Sequence, residues 1–132
     1  MKEIKISTTC ETQWVVTENM LACNVGSGEA EVFSTPMLCA LMENAAMHAL
    51  DEFLEGDETT VGTFMELSHT AATPHGMKVW ATAEITAVNG REITYSITAY
   101  DSCGEIGKAT HKRFVVLKEK FSLKAKAKLE AN

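Results

Sequence analysis

The most restrictive feature of the sequence is one long helix, predicted for residues 36–55 within the segment STPMLCALMENAAMHALDEFLEG. Ser34 or Thr35 can cap its N-terminus, and Pro36 suits the first helical turn, where a missing N–H costs nothing. Gly56 suits the left-handed position that often follows a helix. Because a helix rises about 1.5 Å per residue, this one would span about 30 Å, enough to cross a whole sheet.

Strand-like runs surround this helix, one before it and four after it. Residues 77–88 and 91–101 alternate apolar and polar side chains, and the Asn89-Gly90 pair between them is a strong signal for a type I′ hairpin turn. The other runs are residues 13–18, 59–69 and 108–117. Because connections this short favour antiparallel neighbours, we expect an α+β fold in which a five-stranded antiparallel sheet wraps around one long central helix. This is the hotdog fold, and it would occupy the whole chain, residues 1–132, as a single domain.

Charge, composition and sheet edges narrow the classes of partner. The 12 Lys and Arg residues against 18 Asp and Glu residues give a net charge of −6, which argues against a nucleic-acid binder. No apolar run reaches the roughly 18 residues of a membrane span, and the N-terminal segment has no signal-like apolar stretch, so we expect a cytoplasmic protein. An open edge strand favours a homodimer, with a tetramer as the alternative.

The cysteines give no sign of a disulfide framework or a metal site. They form no C-x-x-C pair and have no partner at zinc-ligand spacing. The four are Cys10, Cys23, Cys39 and Cys103. We expect free thiols, with Cys39 the most buried, and no bound metal.

One charged residue, Glu43, lies in the apolar face of the predicted helix. The residues three and four positions away are all apolar: Cys39, Ala40, Ala46 and Met47. His48, by contrast, has polar neighbours and should face solvent. Burying an unpaired carboxylate costs several kcal/mol, so Glu43 should meet a polar partner or a water-filled cleft. A core glutamate satisfied by backbone groups, or by a subunit interface, is the alternative interpretation.

Two more side chains could take part in chemistry, although each has an ordinary explanation. His69 ends a predicted strand, where its ring could simply bond a backbone carbonyl. Thr35 could simply cap the helix. Thr35 precedes Glu43 by eight residues, about 12 Å along a helix axis, which is too far for direct contact. The two could still serve one cleft from different sides, or from two subunits. His75 and His111 carry no sign of a special role.

Three segments of the chain closely resemble the fluoroacetyl-CoA thioesterase-like family of hotdog proteins: GSGEAEVFSTPMLCALMENAA, TTVGTFMELSHTAATPHGMKV and YDSCGEIGKATHKRFVV. The resemblance runs from about Val25 to Val116. Its specific parts are the Ser-Thr-Pro that opens the helix, the Glu eight residues after the Thr, and the Val-Gly of the following strand. The His-x-x-x-Thr-Pro-x-Gly turn and the His-x-Arg of the last strand complete it.

The resemblance implies an acyl-CoA thioesterase whose catalytic group is Thr35, Glu43 and His69. It also implies that the backbone amide of Gly62 lies near the thioester carbonyl and that Arg113 lies near the ligand. Coenzyme A would enter as part of the substrate, with no other cofactor and no metal. Thioester hydrolysis needs a nucleophile or an activated water, a base and an oxyanion donor, which these groups could supply.

The segment before the helix departs from the family pattern. Members specialised for fluoroacetyl-CoA carry bulky aromatic residues there, whereas VGSGEAEVF offers only Phe33 as a substrate contact. This favours a generic acyl-CoA substrate. The candidate cations for its nucleotide end are Lys112, Arg113, Lys118 and Lys120. A hotdog hydratase or dehydratase, and a non-catalytic domain that binds an acyl ligand, are the alternative functions.

Overall fold

A computed structural model describes residues 1–130 of the chain, so Ala131 and Asn132, the last two residues of the predicted domain, lie outside the described residues. The strands are β1 (Thr9–Val15), β2 (Glu58–His69), β3 (Lys78–Asn89), β4 (Glu92–Asp101) and β5 (Gly104–Leu117). The α-helices are α1 (Ala22–Val25), α2 (Thr35–His48) and α3 (Lys118–Lys126), and Glu18–Met20 and Ala127–Leu129 form 3-10 turns. The segment after β5 is thus helical.

The five strands form one antiparallel sheet in the order β1-β3-β4-β5-β2. Helix α2 contacts all five strands, which confirms the predicted hotdog arrangement of a sheet around one central helix. Strands β1 and β2 are the two edges, so each pairs with a single neighbour in the described part of the chain. None of the helices within residues 1–130 is long and apolar enough to cross a membrane.

Helix α2 and the sheet share a core made largely of small and aliphatic side chains. The fully buried residues of the helix are Leu38, Leu41, Met42, Ala45 and Ala46. Facing strands supply Val79, Ala81, Ala83, Ile85, Ile93, Tyr95 and Ile97, each no more than 1% exposed. Alanines on both sides let the helix lie close to β3, because a short side chain separates two backbones least.

The helix ends about two turns earlier than predicted, at His48 instead of residue 55. It stops at His48, and the chain then turns so that Leu50 and Phe53 fold back into the core, 0% and 5% exposed. The apolar residues that suggested further helix are therefore buried by a compact turn. Gly56 has the left-handed φ of +58° but lies beyond this turn and does not cap the helix.

Two other boundaries also differ from prediction. Strand β1 begins at Thr9 instead of residue 13, because it is a mostly exposed edge strand whose polar side chains obscure the pattern. The β3–β4 hairpin forms, but Asn89 pairs with Glu92, so the two-residue loop is Gly90-Arg91. Of these two loop residues, Gly90 has a positive φ, +62°, and Arg91 does not. This is the pattern of a type II′ turn and not of the predicted type I′.

A bulge in β2 determines which of its side chains face the helix. Gly62 pairs with Arg113 and Phe64 with Lys112, so Thr63 is an extra residue on the β2 side. Simple alternation would place Val61 and Thr63 on the same face as Met65 and Leu67. The bulge reverses the phase, so that Gly62 joins Met65 on the inner face and Val61 points outward. As a result, an inward-facing glycine lies opposite α2.

Candidate active site

Thr35 and His69 form a hydrogen-bonded pair at the N-terminus of α2. The cap of the helix is Ser34, whose Oγ accepts the N–H of Met37 at 3.3 Å. Because Ser34 takes this task, the hydroxyl of Thr35 is free, and its Oγ1 lies 2.8 Å from Nδ1 of His69 at the end of β2. Thr35 therefore does not cap the helix, and the ring of His69 bonds a side chain in addition to lying near the Ala71 backbone.

The environment of His69 favours a neutral ring. Burial lowers the pKa of His69 below its usual value, and a smaller effect of the Ala71 backbone opposes this lowering. Its Nε2 is buried, and no group in residues 1–130 reaches normal hydrogen-bond geometry with it. A cavity of about 290 Å³ adjoins the pair, with walls that include Phe33, Thr70 and Ala71. The ring can therefore take up or return a proton beside a space large enough for a ligand segment.

A second cluster surrounds Glu43, two turns further along α2. Its Oε2 lies 3.6 Å from Nη1 of Arg113, and its Oε1 accepts the thiol of Cys39 at 3.7 Å. Burial, and next the charge of Glu43, raise the pKa of Cys39, so the thiol stays protonated and donates. A Cβ placed on Gly62 would be only 2.7 Å from Oε2. The carboxylate therefore lies directly over the one residue type that leaves it room.

Glu43 is half-exposed in this chain, with 41% of its side chain accessible, and not sheltered in the core as its apolar neighbours suggested. The fully buried stripe of α2 runs along one side of it. Cys39, Ala40 and Met47 are apolar but only partly buried, and they share the margin of the helix with Glu43. The expected polar partner is present in Arg113, and the expected cleft is a cavity of about 230 Å³ beside Cys39 and Gly62.

Arg113 is a buried cation held by three hydrogen bonds. Its Nε donates to Oγ1 of Thr60 at 2.8 Å, and Nη2 donates to the Thr60 carbonyl at 3.0 Å. Its Nη1 lies 3.3 Å from Nε2 of His111. Burial lowers the pKa of Arg113, and the nearby Tyr95 and Glu43 oppose that shift. The guanidinium remains charged at neutral pH, because the unperturbed pKa is far above 7.

His111 lies in this cluster, although the sequence did not distinguish it. It is 1% exposed, lines the cavity beside Glu43, and has Nδ1 2.7 Å from the carbonyl oxygen of Phe64. The available signal was its position two residues before Arg113, because residues i and i+2 of a strand share a face. Ala109, His111, Arg113 and Val115 together form the inward face of β5.

The residues predicted for one site thus lie in two groups. Within residues 1–130, no hydrogen bond or ion pair joins Glu43 to Thr35 or His69, and the two cavities share no lining residue. Phe33 is fully buried in the wall of the Thr35–His69 cavity, away from the Glu43 cavity. No three His, Cys, Asp or Glu side chains of the described part gather as a metal site.

Comparison with known proteins identifies the family. The sequence profile of the fluoroacetyl-CoA-specific thioesterase family matches residues 16–119. The fluoroacetyl-CoA thioesterase of Streptantibioticus cattleyicolor is 43% identical over 101 residues, which is 76% of this chain and 73% of that protein.

Solved structures agree with the sequence match. A phenylalanine-to-alanine variant of the fluoroacetyl-CoA-specific thioesterase superposes with a TM-score of 0.90 at 33% identity, covering 97% of this chain and 99% of that one. A threonine-to-serine variant in complex with acetyl-CoA superposes with a TM-score of 0.89 at 33% identity, covering 94% and 98%. The profile match, the shared fold and the level of identity lead to one conclusion: this chain belongs to the fluoroacetyl-CoA-specific thioesterase family of thioester hydrolases.

Proposed function

We propose that this chain hydrolyses acyl-CoA thioesters at a site that two copies assemble, with Thr35 and His69 of one protomer facing Glu43 of the other. The observation that carries the proposal is the 2.8 Å bond between Thr35 and His69 beside an open cavity. That pair needs a carboxylate, and Glu43 is half-exposed on the same helix, where a partner can reach it. A homodimer would bring each half-site against the half-site of its partner.

In the proposed reaction, water and the thioester give a free acid and the CoA thiol. The Glu43 carboxylate attacks the carbonyl carbon, or takes a proton from the water that does. The backbone amide of Gly62 donates to the oxyanion, and Arg113 supplies a fixed positive charge beside the reacting group. The proton released by the water passes to the neutral ring of His69, which returns it to the CoA thiolate, while Thr35 holds the ring in position.

The substrate we propose is a generic acyl-CoA. Phe33 is the only aromatic side chain in the segment before α2, and it is packed into the protein, not placed over the cavity. The relative solved with acetyl-CoA is a fluoroacetyl-CoA thioesterase, so its site accommodates a two-carbon acyl-CoA. A chain without exposed aromatics there should discriminate weakly between fluoroacetyl and acetyl groups.

A thiol-release assay over a panel of acyl-CoAs tests the activity, with Glu43→Gln as the matched variant that keeps shape and removes the charge. We expect a loss of about 10³-fold or more in kcat, because the proposed nucleophile or base is gone. Turnover that falls less than tenfold would reject Glu43 as the catalytic carboxylate. Hydration or dehydration of the acyl group without thiol release would favour the hydratase class, and binding without turnover would favour a non-catalytic domain.

Mixed dimers test the assembly of the site. Glu43→Gln and Thr35→Ala are each expected to be inactive as homodimers. A dimer with one protomer of each kind contains one intact site if the two halves come from different protomers. It contains none if both halves belong to one chain. Recovery of activity in purified, differently tagged heterodimers would support the shared site, and its absence would place the site within one protomer.

A labelling experiment separates the two chemical routes. In a single turnover in H₂¹⁸O, label on the carboxylate of Glu43 demonstrates direct attack, because it arises only when water opens an anhydride at the Glu43 side-chain carbon. Activation of water places the label only in the released acid. Mass spectrometry of the peptide that contains Glu43 reads the difference.

A further inference from the structure

We propose that His111 is a positioning residue that holds Arg113 at a fixed distance from Glu43 and so keeps the carboxylate free to react. This inference rests on the proposed function of Glu43. It adds a residue to which neither the sequence nor the family resemblance assigned a role.

The hydrogen bonds of His111 define its tautomer. A carbonyl oxygen can only accept, so the Nδ1 that lies 2.7 Å from the Phe64 carbonyl carries the proton and donates it. In a neutral ring Nε2 is then an acceptor, and it faces Nη1 of Arg113 at 3.3 Å. Burial lowers the pKa of His111, and the charge of Arg113 adds to this effect, while the Phe64 carbonyl and Glu43 oppose it. The ring therefore remains a neutral acceptor for the guanidinium.

Three of the bonds made by Arg113 fix the plane of its guanidinium. Thr60 takes Nε and Nη2, and His111 takes Nη1. Held in this way, Nη1 stays 3.6 Å from Oε2 of Glu43, which is longer than the 2.7–2.9 Å of a charge-assisted hydrogen bond. The cation therefore lies close enough to stabilise developing charge, but it does not occupy the lone pairs of the carboxylate.

Without His111, Arg113 could close onto Glu43. A free guanidinium beside a carboxylate prefers a short, often bidentate, pair, which would engage the oxygens that the reaction needs. The other titratable groups that face this cluster are Cys39 on α2 and Tyr95 on β4, and both stay protonated because burial raises their pKa values. Neither therefore adds a negative charge that would compete with Glu43 for Arg113.

The ring of His111 also stabilises the bulge in β2 that brings Gly62 to the inner face. Its bond to Phe64 closes the strand just after the extra residue Thr63, whose hydroxyl donates to the Lys112 carbonyl at 3.2 Å. The Cε1 of His111 would be 3.3 Å from a Cβ on Gly62. On its other side the ring stacks on Tyr95, with centroids 5.7 Å apart and planes at 28°. His111 thus contacts two of the groups beside Glu43, Arg113 and Gly62.

The test compares His111→Phe with His111→Gln in the full-length protein. Phenylalanine keeps the ring and its contact with Tyr95 but removes both hydrogen bonds, whereas the amide oxygen of glutamine can again accept from Arg113. We expect His111→Phe to lower kcat about 10–100-fold with KM within threefold, because small displacements of a reacting group cost this much. If His111→Phe lowers kcat about a hundredfold, kcat of His111→Gln should be at least about tenfold higher than that of His111→Phe. His75→Phe, on an exposed turn, is the matched control and should change neither constant.

Several results would overturn the proposal. One is a kcat of His111→Phe within threefold of the wild-type value. Another is an equal loss of kcat in His111→Phe and His111→Gln, because that result indicates structural damage. A thermal melt of each variant shows whether it folds, and the comparison of Gln with wild type stands if Phe does not fold. Long-range ¹H–¹⁵N spectra of the wild type give a readout that needs no turnover: a proton on Nε2 would refute the tautomer. Wild type without thiol release would refute the proposed function instead.

Discussion

Gly62→Ala should separate catalysis from folding, because the three nearest atoms that its Cβ would meet in residues 1–130 belong to the proposed site. The φ of Gly62 is not in the left-handed region, so alanine meets no backbone strain. Its Cβ would lie 2.7 Å from Oε2 of Glu43 and 3.3 Å from Cε1 of His111. Ordinary contact begins at 3.4 Å, so the carboxylate must retreat by about 0.7 Å.

The two consequences of this retreat differ in size. Displacing a reacting group by about 1 Å can cost about 100-fold, so 0.7 Å should lower kcat by about 10–100-fold. The free energy of unfolding should change little, since Glu43 is the half-exposed end of a flexible side chain and can move. Replacing glycine at a compatible position even stabilises by about 0.4–1 kcal/mol through the unfolded chain.

Steady-state thiol release and a thermal melt measure the two effects on the same sample. Gly28→Ala is the matched control, because its Cβ would meet only Ala22 at an ordinary 3.5 Å. In a Glu43→Gln background, Gly62→Ala should cost little more, since the displaced group no longer reacts. Gly62→Ala with kcat within threefold of wild type, or with its loss explained by a lower melting temperature, would refute the argument.

The remaining predictions concern stability. Gly107→Ala should strongly destabilise the protein, because the new Cβ would clash with the backbone oxygen of Ser68. A melting temperature lowered by less than about 2 °C would contradict this. Tyr95→Phe should leave the free energy of unfolding unchanged or raise it by about 1 kcal/mol, since the buried Tyr95 hydroxyl finds no partner in residues 1–130. Urea titration measures this free energy, and a loss above about 1 kcal/mol would contradict the prediction. The free energy of unfolding should fall as pH drops below about 6.5. The pKa values of His69 and His111 are lowered in the folded protein, so at such pH the unfolded chain binds more protons than the folded one. His111→Gln should reduce that slope by up to about 1.4 kcal/mol per pH unit, and urea titrations at several pH values that show no dependence would contradict the linkage.

The sequence predicted the elements of this fold well because its signals are local. Alternation in β3 and β4 and the capped start of α2 depend on neighbours in the chain. The end of α2 was misjudged because Leu50 and Phe53 are apolar in a turn as they would be in a helix. Whether such residues pack in a helix or in a turn depends on the residues that lie across the core. A local sequence pattern does not report those contacts.

The candidate site was partly predictable for the same reason. Glu43 stands out against its helical neighbours, whereas only the family resemblance joins Thr35 and His69 to it in one catalytic group. His111 was missed, because its meaning comes from Phe64, 47 residues away, and from the bulge that turns that carbonyl toward it. The division of the site into two groups also depends on distances across the fold that spacing along one helix could not supply.

The extra residue in β2 means that spacing along the strand does not by itself report which side chains meet the carboxylate. Gly62 and Phe64 pair with neighbouring residues of β5, Arg113 and Lys112, so deleting Thr63 would restore strict alternation and still leave Gly62 opposite Arg113. Every proposed catalytic residue would keep its face in such a chain. A relative one residue shorter in this strand could therefore carry the same chemistry, although the separation in sequence between its glycine and its histidine would differ by one.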